Sequence, residues 1–161
     1  MLALMKDVWH IVVLLYLVSV PGFGATGASA YAFDPEVRSL SRVGMVNFGG
    51  MGMYRSISAG ESLLRRIMRK DEALKCMMEV YNTGTPAAKV YALAYFHHSA
   101  PELFQICWDD LVGKYNPVVK SAAGCFLMEG SFLEHMIRIR LGEYDPHVEL
   151  AVSLAEKSGR K

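Results

Sequence analysis

The sequence predicts an all-α domain, a compact bundle or short stack of antiparallel helical hairpins behind an irregular Gly-rich N-terminal segment. Three observations carry that expectation. Apolar residues recur at three- and four-residue spacing through most of the chain beyond Ser58. Helix start and stop residues punctuate this periodicity at short intervals, and connections of a few residues favour antiparallel neighbours. One central segment is apolar nearly all round, as a helix covered on several sides must be.

In chain order, residues 1–30 read as a secretory signal peptide. Lys6 precedes an apolar run from Val8 to Val20, interrupted only by His10 and Ser19. That run is shorter than the ~20 residues a spanning helix needs. Pro21 and Gly22 break it, and Ala28-Ser29-Ala30 supplies an A-x-A cleavage site. The expected location is therefore exported, periplasmic or secreted, after cleavage near Ala30. Residues 31–57 read as irregular, with Asp34-Pro35 starting a turn, Val43 to Val46 as a short extended piece, and the cluster Gly49-Gly50-Met51-Gly52.

Residues 58–157 read as a helical domain and 158–161 as a frayed tail. Ser58 and Glu61 have the spacing of a capping box, ahead of Leu63, Leu64, Ile67 and Met68 on one face and Arg65, Arg66, Arg69 and Lys70 on the other. Asp71 is the expected cap of a second helix, with Gly84 as its left-handed stop. Thr85 and Pro86 start a third, running to His98, the segment apolar all round. Ser99 and Pro101 start a fourth, ended by Gly113 to Pro117, after which Val118 to Gly130 reads as extended or irregular. Ser131 with Glu134 opens another helix that Gly142 stops, and Asp145-Pro146 opens the last.

Charge and cysteine content narrow the function classes. The chain holds 17 Lys and Arg against 16 Asp and Glu, and Lys6 and Asp7 leave together with the leader. A near-neutral chain lacks the electrostatic footprint of a nucleic-acid binder. The mature part holds no second apolar run long enough for a membrane span. Three cysteines, Cys76, Cys107 and Cys125, are an odd number for an oxidising compartment. Cys107 and Cys125 are the expected disulfide pair, because they flank an irregular stretch whose closure would be worth ~3 kcal/mol. Cys76 would then be the buried free thiol.

Short helices starting near residues 59, 72, 86 and 101 resemble the HEAT-like layering of helix pairs over roughly residues 58–113, on a shorter repeat. The stretch from Phe48-Gly49-Gly50 through Ser58-x-Gly60-Glu61, with Gly84-Thr85-Pro86-Ala87 downstream, is similar to patterns in uncharacterised exported bacterial proteins. Neither resemblance implies an activity.

No motif announces chemistry. His97 and His98 point about 100° apart on a helix, and no H-x-x-x-H spacing exists, so neither a metal nor a cofactor is expected. No serine sits in G-x-S-x-G, and Cys107 and Cys125 lack cationic neighbours in sequence. Asp109, Asp110 and Glu102 read as solvated surface, so no catalytic residue is assigned. Gly49, Gly50 and Gly52 precede a helix, a setting for anion binding, yet Glu61 would occupy the positive helix end and a tight structural turn is the better reading. The loop still offers Met51, Met53, Tyr54 and Arg55, residue types enriched at interface cores.

The function expected from the sequence is an exported helical binding protein with a protein partner. One alternative is an accessory or immunity protein of a bacteriocin or contact-toxin system. Another is a small hydrolase, which would need a pocket joining a nucleophile to His97, His98 or His135. The leader reading is the most directly testable. Intact mass of the exported protein should correspond to a chain beginning at Tyr31, and a species retaining Val8 to Val20 would identify an anchor instead.

Overall fold

The structure, a computed structural model, describes residues 34–50 and 56–158, which lie in the second of two units, 31–161, into which the chain divides. It begins where the sequence suggested irregularity. Helix α1, Pro35–Ser41, has Asp34 as its N-cap, whose carboxylate accepts from the Glu36 amide at 2.9 Å and the Val37 amide at 3.2 Å. Lys70, in the turn that follows residues 59–67, also bonds Asp34 and lies 2.9 Å from Glu36. Burial alone would raise the Asp34 pKa, but the Lys70 contact and the two backbone amides together hold it below the usual carboxylate value. Strand β1, Met45–Val46, follows.

Helices α2 (Ala59–Ile67), α3 (Ala73–Thr83), α4 (Pro86–Ser99) and α5 (Pro101–Leu111) come next. Ser58 caps α2 as expected, accepting from the Glu61 amide at 3.1 Å. The expected stripe of positive charge is largely spoken for. Arg65 pairs with Glu61 at 2.7 Å and Arg66 with Glu36 at 3.2 Å, while Lys70 holds α1. The N-cap of α3 is Glu72, without a side-chain cap bond, rather than Asp71. Gly84 ends α3 in an extended conformation, φ −79°, rather than the left-handed one expected. Its missing side chain serves close approach instead, since a Cβ there would lie 2.4 Å from the Val80 carbonyl and 2.7 Å from the Ala88 methyl.

Helix α4 is the centre. Thr85 caps it by accepting from the Ala88 amide at 3.1 Å, its hydroxyl donates to the Val43 carbonyl, and Pro86 takes the first turn. Nine consecutive or near-consecutive side chains from Ala87 to Phe96 are buried, including Tyr91, Leu93 and Phe96. They pack against α3 and α5 on the flanks and against α1, α2, β1 and β2. Helices α6 (Phe132–Arg140) and α7 (Asp145–Ser158) close the remaining sides. Ser131 caps α6 by accepting from the Glu134 amide at 3.1 Å, and Gly142, at φ +75°, ends it.

The fold is not all-α. Strands β2 (Val118–Ala123) and β3 (Phe126–Ser131) form an antiparallel hairpin, and β1 pairs parallel with β2 through Met45 opposite Lys120 and Val46 opposite Ser121. This three-stranded mixed sheet, in the order β1-β2-β3, overturns the all-α expectation. Segment 31–57 is likewise not wholly irregular, since α1 and β1 lie within it. The errors have separate causes. β1 is two residues long and becomes a strand only by pairing with residues some seventy positions away. The β2–β3 hairpin lay in a stretch expected to be extended or irregular, and Asp34-Pro35, expected to start a turn, instead caps and opens α1. No helix among the described residues is long and apolar enough to cross a membrane.

Tyr91 joins the two halves of this architecture. Its hydroxyl accepts from the Asn47 amide at 2.8 Å and donates to the Asn47 carbonyl at 2.9 Å, and the Ser58 hydroxyl donates to the same carbonyl at 2.9 Å. Gly60 leaves room for the ring, because a Cβ there would lie 2.5 Å from the Tyr91 oxygen. Tyr91→Phe should therefore orphan a buried amide and lower unfolding free energy by about 1–3 kcal/mol in urea titrations. Loss of less than ~0.5 kcal/mol would show that the clamp is energetically idle.

Candidate functional site

Two regions concentrate unusual chemistry, a buried polar niche and a projecting hairpin. The niche lies where Asn47 to Gly50 meets α2 and α7. Gly49 takes φ +86° and Gly50 φ +95°, both left-handed. The Gly49 amide donates to the Glu61 carboxylate at 3.2 Å, and a Cβ on Gly49 would strike the His147 ring at 2.8 Å. Glu61 thus departs from the capping box. Its carboxylate serves the glycine turn and Arg65, leaving that amide no part in binding an external anion. Phe48 fills the space beneath, with ring centroids 4.8 Å from Tyr91 and 4.6 Å from Tyr144. Asn47 is 1% exposed, and neither atom of its side-chain amide has a hydrogen-bond partner among the described residues. The expected binding residues Met51, Met53, Tyr54 and Arg55 lie outside the described residues.

The histidines and acids are scattered. Asp145 Oδ1 lies 3.0 Å from His97 Nδ1, the orientation a catalytic acid gives a base, with Phe104 packed edge-on to the imidazole. Among the described residues no hydrogen bond joins His97 to a serine, threonine or cysteine. Asp109 bonds Gln105 at 2.8 Å and Asp110 bonds Lys114 at 3.0 Å, both on exposed helix surface. No group of three His, Cys, Asp or Glu side chains among the described residues converges for a metal. A groove of about 210 Å³ between α1 and α3, lined by Val37, Arg38, Ser41, Arg42, Glu79 and Thr83, is smaller than the usual ligand pocket of ~300 Å³ or more.

Cys76, Cys107 and Cys125 are all free thiols, so the structure does not contain the expected Cys107–Cys125 bridge. Cys107 is buried in α5, whereas Cys125 is exposed in the turn between β2 and β3. Burial raises the thiol pKa of Cys76 and Cys107 and makes both poor nucleophiles.

The hairpin is the other region; Val118 to Gly130 reads in the sequence as extended or irregular, without its turn, its pairing or its exposure. A two-residue loop, Gly124-Cys125, separates Ala123 from its partner Phe126, and Gly124 takes φ +60°, as the first position of a II′ turn requires. Val118 to Ser121 alternates exposed and buried, the signature of a strand with one covered face. In the sequence itself Val118-Val119-Lys120-Ser121 does not alternate apolar and polar, so Gly124 at the turn was the one signal that could have located the hairpin. Beyond Glu129 toward the tip, β3 is bare on both faces. Phe126 is 77% exposed, Leu127 75% and Met128 43%, with Val118 at 68% on the adjoining strand. Side chains alternate across the sheet, so Phe126 and Met128 share one face and Leu127 lies on the other. Among the described residues, the strand order leaves the outer edge of β3 without a strand neighbour.

Comparison with protein-family models, with curated proteins and with solved structures finds no match.

His135 gives the region beside the hairpin a pH dependence. It is 2% exposed, shares a 2.8 Å hydrogen bond with the Tyr144 hydroxyl, and stacks near that ring. Burial first and nearby Arg138 second lower its pKa, with Glu134 opposing. The native state keeps this imidazole neutral while the unfolded chain takes up a proton near pH ~6.5. Its contribution is therefore complete above about pH 6.5 and is lost as pH falls below it. Denaturation midpoints should drop between about pH 7 and pH 5, and His135→Gln should flatten that slope. Thiol counting on unreduced, unfolded chain should find three thiols, with Cys125 alone reacting in the native state. One thiol would restore the Cys107–Cys125 bridge.

Proposed function

We propose that this chain is an exported binding protein that engages a protein partner through the β2–β3 hairpin. The observation that supports it most is the bare apolar strand: Phe126, Leu127 and Met128 project on a sheet edge that no other strand among the described residues occupies. Soluble domains usually protect such an edge with charge, proline or a covering helix. An unprotected apolar edge of this kind is the surface used when a second polypeptide adds a strand, main-chain bonds giving affinity and alternate side chains giving specificity. The rest of the domain fits a scaffold role. Its polar side chains are mostly committed to internal bonds, as at Tyr91, Glu61 and Asp34.

The loop Gly49–Ser56, with Met51, Met53, Tyr54 and Arg55, is the competing surface carried over from the sequence, as loops on rigid scaffolds often hold recognition groups. Site-specific photo-crosslinking in the native cell separates the two. A photoreactive residue at Phe126 should give discrete adduct bands, one at Tyr54 should give none, and one at exposed Glu102 serves as the background. Adducts from Tyr54 but not Phe126 would move the site to the loop. Adducts no stronger at Phe126 than at Glu102 would remove the hairpin as a binding surface.

A further inference from the structure

The geometry points to a second copy of this chain as the strand that pairs with β3, giving a two-fold dimer centred on Leu127. This rests on reading the hairpin as a binding surface and adds the identity of the partner.

The backbone sets which groups face outward. The two-residue turn makes Ala123 and Phe126 its closing hydrogen-bonded pair, so the amide and carbonyl of Phe126 point at β2. Antiparallel pairs alternate, so Leu127, opposite Ala122, turns its amide and carbonyl to the free edge, and Glu129 does the same. A second β3, antiparallel and related by a two-fold axis, can then exchange both main-chain bonds between Leu127 and its own copy.

The side chains favour that register. With Leu127 opposite Leu127, Phe126 meets Met128 of the second copy, and Met128 meets its Phe126. Three apolar pairs form on the two faces at once, and Glu129 faces the uncharged Cys125, so no like charges oppose each other. Sliding by one pair would set Leu127 against Glu129. A flat partner surface would cover only one face of β3, whereas an edge-paired hairpin lies beside the exposed residues of both.

The apolar surface available is on the order of 400 Å² per copy, below the ~800 Å² each partner contributes to a tight standard interface. The dimer is consequently one that dissociates on dilution. An isologous contact of this kind also closes on itself, which spends both free edges and stops further growth.

Sedimentation equilibrium of the full chain over the micromolar range is the test. Wild type should show a reversible monomer–dimer equilibrium, and Leu127→Asp, which sets two carboxylates across the axis, should weaken it about tenfold or more. Because Leu127 is exposed, the melting temperature of Leu127→Asp should match wild type. In a Cys125→Ser background, Leu127→Cys should oxidise to a covalent dimer, its Cα atoms about 5.5 Å apart across the axis. Val118→Cys, equally exposed but on β2, should not. A wild-type chain monomeric throughout, self-association untouched by Leu127→Asp, or equal oxidation at positions 118 and 127 would each overturn the dimer. Photo-adducts from Phe126 to a different protein, with no self-association, would overturn it while leaving the hairpin as the binding surface.

Discussion

The hydroxyl of Tyr91, bonded to both the amide and the carbonyl of Asn47, is the interaction on which most of the structure depends. Tyr91 lies in the middle of a helix whose every face is covered, so its position is set by the whole core. Asn47 follows directly on β1, so fixing it fixes the short strand and, through β1, the register of β2. The same clamp draws in α2, because Ser58 shares the Asn47 carbonyl and Gly60 makes room for the phenol ring. Two main-chain groups that would otherwise be buried without partners are thereby satisfied. This matters in a low-dielectric interior, where an orphaned group costs far more than the bond itself gains.

Around that clamp the domain is built by distributing polar commitments inward. Glu61, nearly fully buried, divides its carboxylate between the Gly49 amide and Arg65. Lys70 ties the cap of α1 to the turn after α2, and the Thr85 hydroxyl ties the start of α4 to the chain leaving α1. The aromatic series His147, Phe48, Tyr144 and His135 then carries the packing from the glycine turn to α6 and α7. The Asn47 side chain stands apart from this pattern, buried with its amide unbonded among the described residues.

The hairpin differs from the rest because it outruns the core. At its base, Val119 is buried against the core to which α4 contributes. Toward the tip, a Cβ on Gly124 would meet nothing within 4 Å, and no element among the described residues covers Phe126 or Leu127. Apolar side chains held on a paired strand lose little conformational entropy on binding, which suits recognition more than a flexible loop does.

What the sequence determined by itself was local. Ser58, Thr85-Pro86, Ser131 with Glu134, and Gly142 mark helix ends because a cap bonds residues two or three positions away, and those bonds are present in the structure. The central place of α4 was also legible, since a helix apolar on all sides has no solvent face to offer. Of the candidate site, the residues expected at the loop fall outside the described part. Val118 to Gly130 was legible only as extended or irregular, because Val-Val-Lys-Ser does not alternate apolar and polar and Gly124 alone marks the turn. Tertiary structure decided the remainder. It made Met45–Val46 a strand by pairing it with Lys120 and Ser121, turned Glu61 from a capping residue into an anchor for Gly49, and gave Gly84 a steric rather than a conformational task. Each of these depends on atoms distant in sequence that meet only after the chain has packed, and periodicity, which reports what one segment buries, contains no information about which segment it meets.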